Sequence, residues 1–131
     1  MMNHWSATSA ARPATCDLRL VEVFDHVLQI VDCSVLAGHR NEVMQDQLYD
    51  DGKSQVRWPL SKHNVTPSGA IDIAPYPINW GDRERMTLFA GIALGVADAK
   101  GIALRWGGDW NHDFQVVDNG FDDLVHFELM E

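Results

Sequence analysis

A chain of 131 residues is long enough for one compact domain with a single core and too short for two domains of ordinary size. Its net charge of −9 argues against binding to nucleic acid, because phosphate recognition needs a basic surface. The N-terminus shows no signal-peptide pattern, and no apolar stretch is long enough to cross a bilayer. We therefore expect a protein that is made in the cytoplasm and does not insert into a membrane.

Cys16 and Cys33 are the only cysteines, and they do not form a Cys-x-x-Cys motif. Two cysteines do not make a disulfide framework, and a cysteine-based zinc site needs more of them. The prediction is two reduced, buried thiols.

The pattern of apolar residues predicts helices separated by short strands. In the first and last helices apolar residues recur at three- and four-residue steps, whereas in the strands they alternate. The predicted helices begin at Thr15 or Asp17, at Asn41 and at Asp82, and end near Asp32, Gly52 and Lys100. The predicted strands cover residues 33–37, 70–74, 102–106 and 125–129. Residues 1–14 are predicted to be a loose arm of a single domain over 1–131, and a loop is predicted from Gly107 to about Asp122.

Two of the predicted strands carry polar residues on one face. Asp72 shares its face with the small residues Ala70 and Ala74, which leaves room above the carboxylate. In the last strand His126 and Glu128 share a face, and the opposite face is apolar, with Val125, Phe127 and Leu129. Such faces are suited to bind a ligand.

His63, Asp72 and His126 together form a set that binds zinc. Hydrolytic zinc sites use three protein ligands and keep a fourth position open. Taken singly, each residue is more simply explained as a loop histidine, a paired acid or a hydrogen-bonded core histidine. The combination, with small neighbours around Asp72 and acids on either side of His126, favours a metal site.

Other residues could compete for a cation. His39, His112, Asp109 and Asp113 are the alternatives, and the last three lie in the glycine-rich loop after the third predicted strand. Solvated loop charges are the simpler interpretation of that cluster, although a second cation there stays open.

A metallopeptidase also needs a base and a group that stabilises the oxyanion. Asp123 lies three residues before His126 and is our candidate base, with Glu128 as the alternative. We expect Glu128 instead to orient a ligand histidine. Arg40, between a strand and a helix, is a candidate for the oxyanion or a substrate carbonyl. Its position alone favours a surface arginine paired with Glu42, Asp46 or Asp50.

At these residues the chain resembles a known family, the VanY-like D-alanyl-D-alanine carboxypeptidases, and within it most closely the L-alanyl-D-glutamate endopeptidases that serve as phage endolysins. The similar motifs are Ser61-Lys62-His63, Gly69-Ala70-Ile71-Asp72 and Asp123-Leu124-Val125-His126, together with Gly38-His39-Arg40, Gln45, Leu48-Tyr49, Trp58-Pro59, Ala74-Pro75-Tyr76-Pro77 and Arg105-Trp106-Gly107-Gly108-Asp109-Trp110. The resemblance covers roughly residues 18–130.

The resemblance implies an α+β fold with helices on one side of a small antiparallel sheet and a zinc site on the open face. The residues that match the family's zinc ligands are His63, Asp72 and His126, and Asp123 matches its acid/base. The residues expected to contact substrate are Arg40, Ser61 and Gln45. The segment 66–68 lengthens the usual gap between the first histidine and the aspartate, which leaves its part in specificity open.

We therefore expect a monomeric zinc peptidase that cuts the stem peptide of peptidoglycan between L-Ala and D-Glu, reaching the wall through a pore made by another protein. Two alternatives remain open: a D,D-carboxypeptidase or dipeptidase acting in the same site, and a non-catalytic, zinc-stabilised wall-binding module.

Overall fold

The computed structural model describes residues 3–116 and 122–130, and within them the chain forms four α-helices and four strands. The helices are α1 (Ala7–Ala11), α2 (Leu18–Ile30), α3 (Glu42–Asp50) and α4 (Arg83–Ala99). The strands are β1 (Cys33–Ala37), β2 (Ala70–Pro75), β3 (Leu104–Gly107) and β4 (Asp123–Leu129). Short 3-10 turns occupy Pro13–Thr15 and Lys62–Asn64. Among these described helices, none is long and apolar enough to span a bilayer.

The strands form one antiparallel sheet in the order β1-β2-β4-β3. In the central pair, Asp72 lies directly opposite His126 and Ala70 lies opposite Glu128. Arg105 of β3 lies opposite Glu128 from the other side. Since side chains on a strand alternate between faces, this register collects the polar residues on one face.

The other face of the sheet carries the hydrophobic core. α2 and α4 cover it, and three aromatic rings meet at the centre, with Phe127 5.2 Å from Phe24 and 6.2 Å from Phe89 between ring centroids. Both contacts are edge-to-face, the arrangement that aromatic quadrupoles favour. The predicted α+β fold, with helices on one side of a small antiparallel sheet and an open polar face, is confirmed.

Three aspartate or asparagine caps fix the starts of the longer helices. The side chains of Asp17, Asn41 and Asp82 accept hydrogen bonds from backbone N–H groups in the first turns of α2, α3 and α4. The starts of two strands differ from the prediction by two residues each. β3 starts two residues later than predicted, because Gly101 adopts a positive φ of 71° and the Ile102 N–H returns to the carbonyl of Ala97. β4 starts two residues earlier. The predicted loop from 107 to 122 includes residues 117–121, which lie outside the described residues.

The described part of the expected loose arm is ordered against the domain. Ser9 is buried and its hydroxyl accepts a hydrogen bond from the Val35 N–H at 3.1 Å, while the Arg12 guanidinium donates to the Val35 carbonyl at 2.7 Å. Asn3 donates to the carbonyl of Leu28 at 2.7 Å. The segment 3–15 thus satisfies the outer edge of β1, which would otherwise leave backbone groups unpaired. The described residues of the expected loose arm are therefore held against the domain by these hydrogen bonds.

We predict that the two thiols make the protein less stable in alkali. Burial raises the pKa of Cys16 to about 11 and that of Cys33 to about 12, from the ordinary value of 9.0. Because the unfolded thiols ionise near pH 9 while the folded thiols stay neutral, the unfolding free energy falls above pH 9, by up to about 1.4 kcal/mol per pH unit for each thiol. Urea unfolding at pH 8 to 11 measures this slope.

A Cys33→Ala variant provides the control, since lysines and tyrosines titrate in the same range. We expect its stability to depend less steeply on pH than that of the parent. An identical slope in the two proteins would show that Cys33 is accessible and ionises normally in the folded state.

Candidate metal centre and active site

His63 is placed by a capped 3-10 turn that lies before β2, with five residues between them. The Ser61 hydroxyl accepts a hydrogen bond from the His63 N–H at 3.1 Å, and the Asn64 side chain accepts one from the Ser61 N–H at 3.0 Å. This reciprocal pair is a capping box, which fixes a tight turn. The imidazole of His63 is fully buried, with 0% of the residue exposed.

Asp72 and His126 are placed by strand register. They form a cross-strand pair in the centre of the sheet, on the face opposite the core. Directly opposed residues on antiparallel strands have Cβ atoms about 4.5–5.5 Å apart, so both side chains reach the same space. Both residues are also buried.

The three side chains converge on one point. His63 Nε2 lies 3.1 Å from Asp72 Oδ1 and 3.2 Å from His126 Nδ1, and His126 Nδ1 lies 3.2 Å from the same Asp72 oxygen. Ligands at about 2.0–2.1 Å from a tetrahedral zinc ion are about 3.3 Å apart. The three atoms therefore form a triangle of the size of one face of a zinc coordination tetrahedron. They are a possible metal-binding triad.

The second nitrogen of each imidazole fixes which nitrogen faces the centre. His63 Nδ1 lies 2.7 Å from the carbonyl oxygen of Gly38, which only accepts, so Nδ1 carries the proton. His126 Nε2 lies 2.8 Å from Glu128 Oε1 and donates to that carboxylate. In the neutral rings the remaining lone pairs, on His63 Nε2 and His126 Nδ1, both point at the centre. Two lone pairs beside a carboxylate oxygen are the arrangement that a divalent cation requires.

The charges of the triad are consistent with a cation site. Burial works against the ionised form of Asp72, yet the imidazoles of His126 and His63, which donate hydrogen bonds to it when their facing nitrogens carry a proton, hold its pKa well below its usual range. Burial also disfavours a charged His126, but hydrogen bonds with Asp72 and Glu128 raise its pKa to about 9. The site thus stabilises positive charge, and a proton and a metal ion compete for it.

Glu128 is itself held by two cations. Arg105 Nη2 lies 2.8 Å and Lys62 Nζ 3.6 Å from its Oε2 oxygen, while its other oxygen receives His126. Burial opposes ionisation of Glu128, but hydrogen bonds from His126 and Arg105 lower its pKa to about 2. A carboxylate so acidic and so fully bound is a weak base, which favours the orienting role over the catalytic one.

The carbonyl that orients His63 depends on a glycine. A Cβ on Gly38 would collide with the Thr15 hydroxyl and would lie 2.6 Å from the carbonyl oxygen of Arg12. The Thr15 hydroxyl also accepts the His39 N–H at 2.9 Å. The segment before α2 therefore packs tightly behind the triad, and a residue with a side chain at position 38 would push that segment away.

Arg40 binds the triad from the side of the cleft. Its Nη2 lies 2.6 Å from Asp72 Oδ2, so one oxygen of Asp72 faces the histidines and the other faces the guanidinium. Its backbone is tied to His63, since the Arg40 N–H donates to the His63 carbonyl at 2.7 Å. Arg40 also lines the open cleft in front of the triad, so it is more than a surface ion pair.

Asp123 lines the same cleft at the start of β4. Burial raises its pKa above the ordinary value, and the negative charge of Asp72 adds to this effect. Its backbone passes so close to β3 that a Cβ on Gly107 would collide with the Asp123 carbonyl. A half-buried carboxylate of raised pKa has the properties of a general base.

The two other residues predicted to contact substrate, Ser61 and Gln45, differ in their access to the cleft. Ser61 lines the cleft, although its hydroxyl also caps the turn of His63. Gln45 does not line the cleft in this structure, because the residue is 0% exposed. Its amide donates to Ser54 Oγ at 2.9 Å and to the Val56 carbonyl at 2.7 Å, and it accepts from Asn64 at 3.2 Å.

The alternative metal ligands lie elsewhere. His39 Nε2 is 3.2 Å from the Thr66 hydroxyl, His112 packs against Phe114, and Asp109 accepts the N–H groups of Asp113 and Phe114. In the parts of the chain that the structure describes, the triad is the only group of three converging ligands. The lengthened turn at 66–68 faces the N-terminal segment, where the Ser68 N–H donates to the Thr15 carbonyl.

The cleft also contains residues that the sequence did not single out. Trp110 lies beside the triad, with its ring centroid 5.3 Å from that of His126, and Lys53 lines the same cleft together with residues 54–56. Trp110 belongs to a motif that the resemblance includes, so its position was accessible to sequence reasoning. Lys53 lies in a polar loop, and only the fold shows that the loop borders the cleft.

Comparisons with known proteins agree with this geometry. The family model described as phage L-alanyl-D-glutamate peptidase matches residues 1–130. The L-alanyl-D-glutamate peptidase of Escherichia phage T5 is 30% identical over 127 residues, which cover 89% of this chain and 90% of that protein. The crystal structure of the Serratia marcescens L-Ala D-Glu endopeptidase ChiX matches with a TM-score of 0.75 and 25% identity, over 95% of this chain and 88% of that one.

The family model matches almost the whole chain, and the alignment with the T5 peptidase covers about nine-tenths of each protein. The fold is shared with an endopeptidase of the same named activity. The resemblance that the motifs indicated is confirmed. The chain belongs to the phage L-alanyl-D-glutamate peptidase family.

Proposed function

We propose that this protein is a zinc-dependent endolysin that hydrolyses the L-alanyl-D-glutamate bond of the peptidoglycan stem peptide. The observation that carries the proposal is the buried triangle of His63 Nε2, Asp72 Oδ1 and His126 Nδ1, in a chain of a peptidase family. We propose further that one peptidase domain spans residues 1–131, that it acts as a monomer, and that it reaches the wall through a pore made by another protein.

His63, Asp72 and His126 would hold the metal ion, and the donor set fits zinc. Two neutral imidazoles and one carboxylate match its preference for nitrogen and oxygen ligands, and the 3.1–3.2 Å separations match its small coordination sphere. When bound, zinc supplies a Lewis acid that polarises a carbonyl oxygen and makes water more acidic. Glu128 supports the site by accepting the proton of His126 Nε2 and so directing Nδ1 toward the metal.

Asp123 acts as the general base. It takes a proton from the water that attacks the scissile carbonyl and returns that proton to the leaving amine. Its raised pKa brings its proton affinity closer to what both transfers need at neutral pH. The partly buried position also keeps bulk water from competing for the proton.

Arg40 stabilises the negative charge that develops on the carbonyl oxygen. One of its nitrogens is fixed by Asp72, which holds the planar guanidinium at the edge of the cleft. The remaining N–H donors of that group are then placed to receive an oxyanion without a conformational change.

Gln45 acts through other residues. Its amide ties the cleft rim at Ser54 and Val56 to Asn64, and Asn64 in turn donates to the Arg40 carbonyl at 3.2 Å. Gln45 therefore fixes the distance between the rim and the catalytic residues. It is a positioning residue.

We predict that digestion of purified peptidoglycan releases fragments with new glutamate N-termini. Mass spectrometry of the fragments identifies the bond. Removing metal with a chelator should abolish the products, and adding zinc back should restore them, because the polarising cation is lost and regained. Release of terminal D-Ala alone would instead assign a D,D-carboxypeptidase activity to the same cleft.

We predict that Asp123→Asn lowers kcat by at least about 100-fold while zinc content stays unchanged, because the amide cannot accept the proton. Elemental analysis measures the zinc content and a kinetic assay measures kcat, both on the same preparation. A variant that still cleaves walls as fast as the parent would refute the catalytic role of Asp123 and favour the non-catalytic binding module.

We predict that Gln45→Met lowers the free energy of unfolding by about 2–3 kcal/mol, because buried partners lose their hydrogen bonds. Urea unfolding measures this change. Gln47→Met is the matched control on the same helix, since the Gln47 side chain is exposed and its hydrogen bond to Asp51 lies at the surface, and it should change stability by less than about 0.5 kcal/mol. Unchanged stability with a raised KM in Gln45→Met would return Gln45 to the substrate contacts.

A further inference from the structure

Three cations line the described part of the cleft: Arg40, Lys53 and Lys62. Two of them are already neutralised inside the protein. Arg40 pairs with Asp72 at 2.6 Å, and Lys62 pairs with Glu128 at 3.6 Å and donates to the carbonyl of Leu129. Lys53 forms no ion pair with any residue in the ranges 3–116 and 122–130. Among the described residues of the cleft, Lys53 is thus the cation whose charge no carboxylate of the protein balances.

The backbone that carries Lys53 is held from several sides. The N–H groups of Lys53 and Ser54 both donate to the Leu48 carbonyl, at 2.8 and 3.2 Å. The residues that follow Lys53 are held by the buried Gln45, whose side-chain amide donates to Ser54 Oγ and to the Val56 carbonyl. The rim is thus fixed to the end of α3, and it presents an exposed lysine at a defined place in the cleft. A fixed platform lowers the entropy lost when a ligand binds to it.

The chemistry of the substrate supplies a partner for this charge. A glutamate on the leaving side of the scissile bond has two carboxyl groups and uses its amine in that bond. Whichever carboxyl continues the peptide, the other stays free and negatively charged. A protein of net charge −9 repels such a group unless a local cation offsets the field.

We propose that Lys53 binds the free carboxylate of the glutamate that follows the scissile bond. The inference rests on the proposed function, and it adds a specificity residue in the segment 53–56 that lines the cleft. Lys53 selects substrates in which this carboxylate is free over substrates in which it is amidated. Because the pair is exposed, the selection weakens as ionic strength rises.

The test compares two synthetic stem peptides that differ only in this group, one with the free carboxylate and one with the carboxamide. We measure kcat/KM for both peptides with the parent, Lys53→Met and Lys53→Arg. The parent should prefer the carboxylate peptide about 5- to 10-fold, Lys53→Met should lose the preference, and Lys53→Arg should keep it. Lys100→Met removes a lysine at the end of α4, outside the cleft, and should behave as the parent.

Each outcome has a distinct meaning. If the parent cleaves neither peptide, the proposed function fails before Lys53 is tested. If the parent cleaves both and Lys53→Met slows both equally, the proposed contact is refuted. The C-terminal carboxylate of the peptide is the other group that Lys53 could bind, and a third peptide with an amidated C-terminus tests it. If Lys53→Met removes a preference for the free C-terminus instead, the inference is overturned in favour of a carboxypeptidase-like subsite.

Discussion

The structure depends on one electrostatic constraint: two imidazole lone pairs and a carboxylate oxygen are held 3.1–3.2 Å apart in a buried site. Without positive charge between them these atoms repel one another, and burial makes that repulsion stronger. The fold overcomes it by fixing the opposite end of each group. Gly38 holds His63, Glu128 holds His126 and Arg40 holds Asp72. The outer contacts therefore determine the geometry as much as the three ligands do.

These outer contacts connect the site to most of the fold. The register of β2 and β4 brings Asp72 opposite His126, and β3 supplies Arg105 to fix Glu128. The N-terminal segment packs against Gly38, and α3 supplies Gln45, which ties the rim to Asn64. The hydrophobic core on the opposite face stabilises the sheet that carries these residues. The triad is thus the place where contacts from distant parts of the sequence meet.

Strand alternation was enough to predict the sheet face that carries Asp72, His126 and Glu128, because the period of two is a local property. The outcome for Gln45 was not predictable in this way. A glutamine on a polar helix resembles a surface residue, and only tertiary partners explain its burial. The N-terminal arm has no helical periodicity, and its order comes from hydrogen bonds to β1 and α2. The position of Lys53 in the cleft was likewise not predictable from the sequence, because only the fold brings its loop to the cleft.

The central claim is that the triad is a zinc site, and anomalous diffraction at the zinc edge from crystals of the zinc-loaded protein tests it most directly. The account predicts one strong peak within about 2.0–2.2 Å of His63 Nε2, Asp72 Oδ1 and His126 Nδ1. A peak bound by other residues, such as those of the loop around Asp109 and Asp113, with none at the triad, would contradict the account.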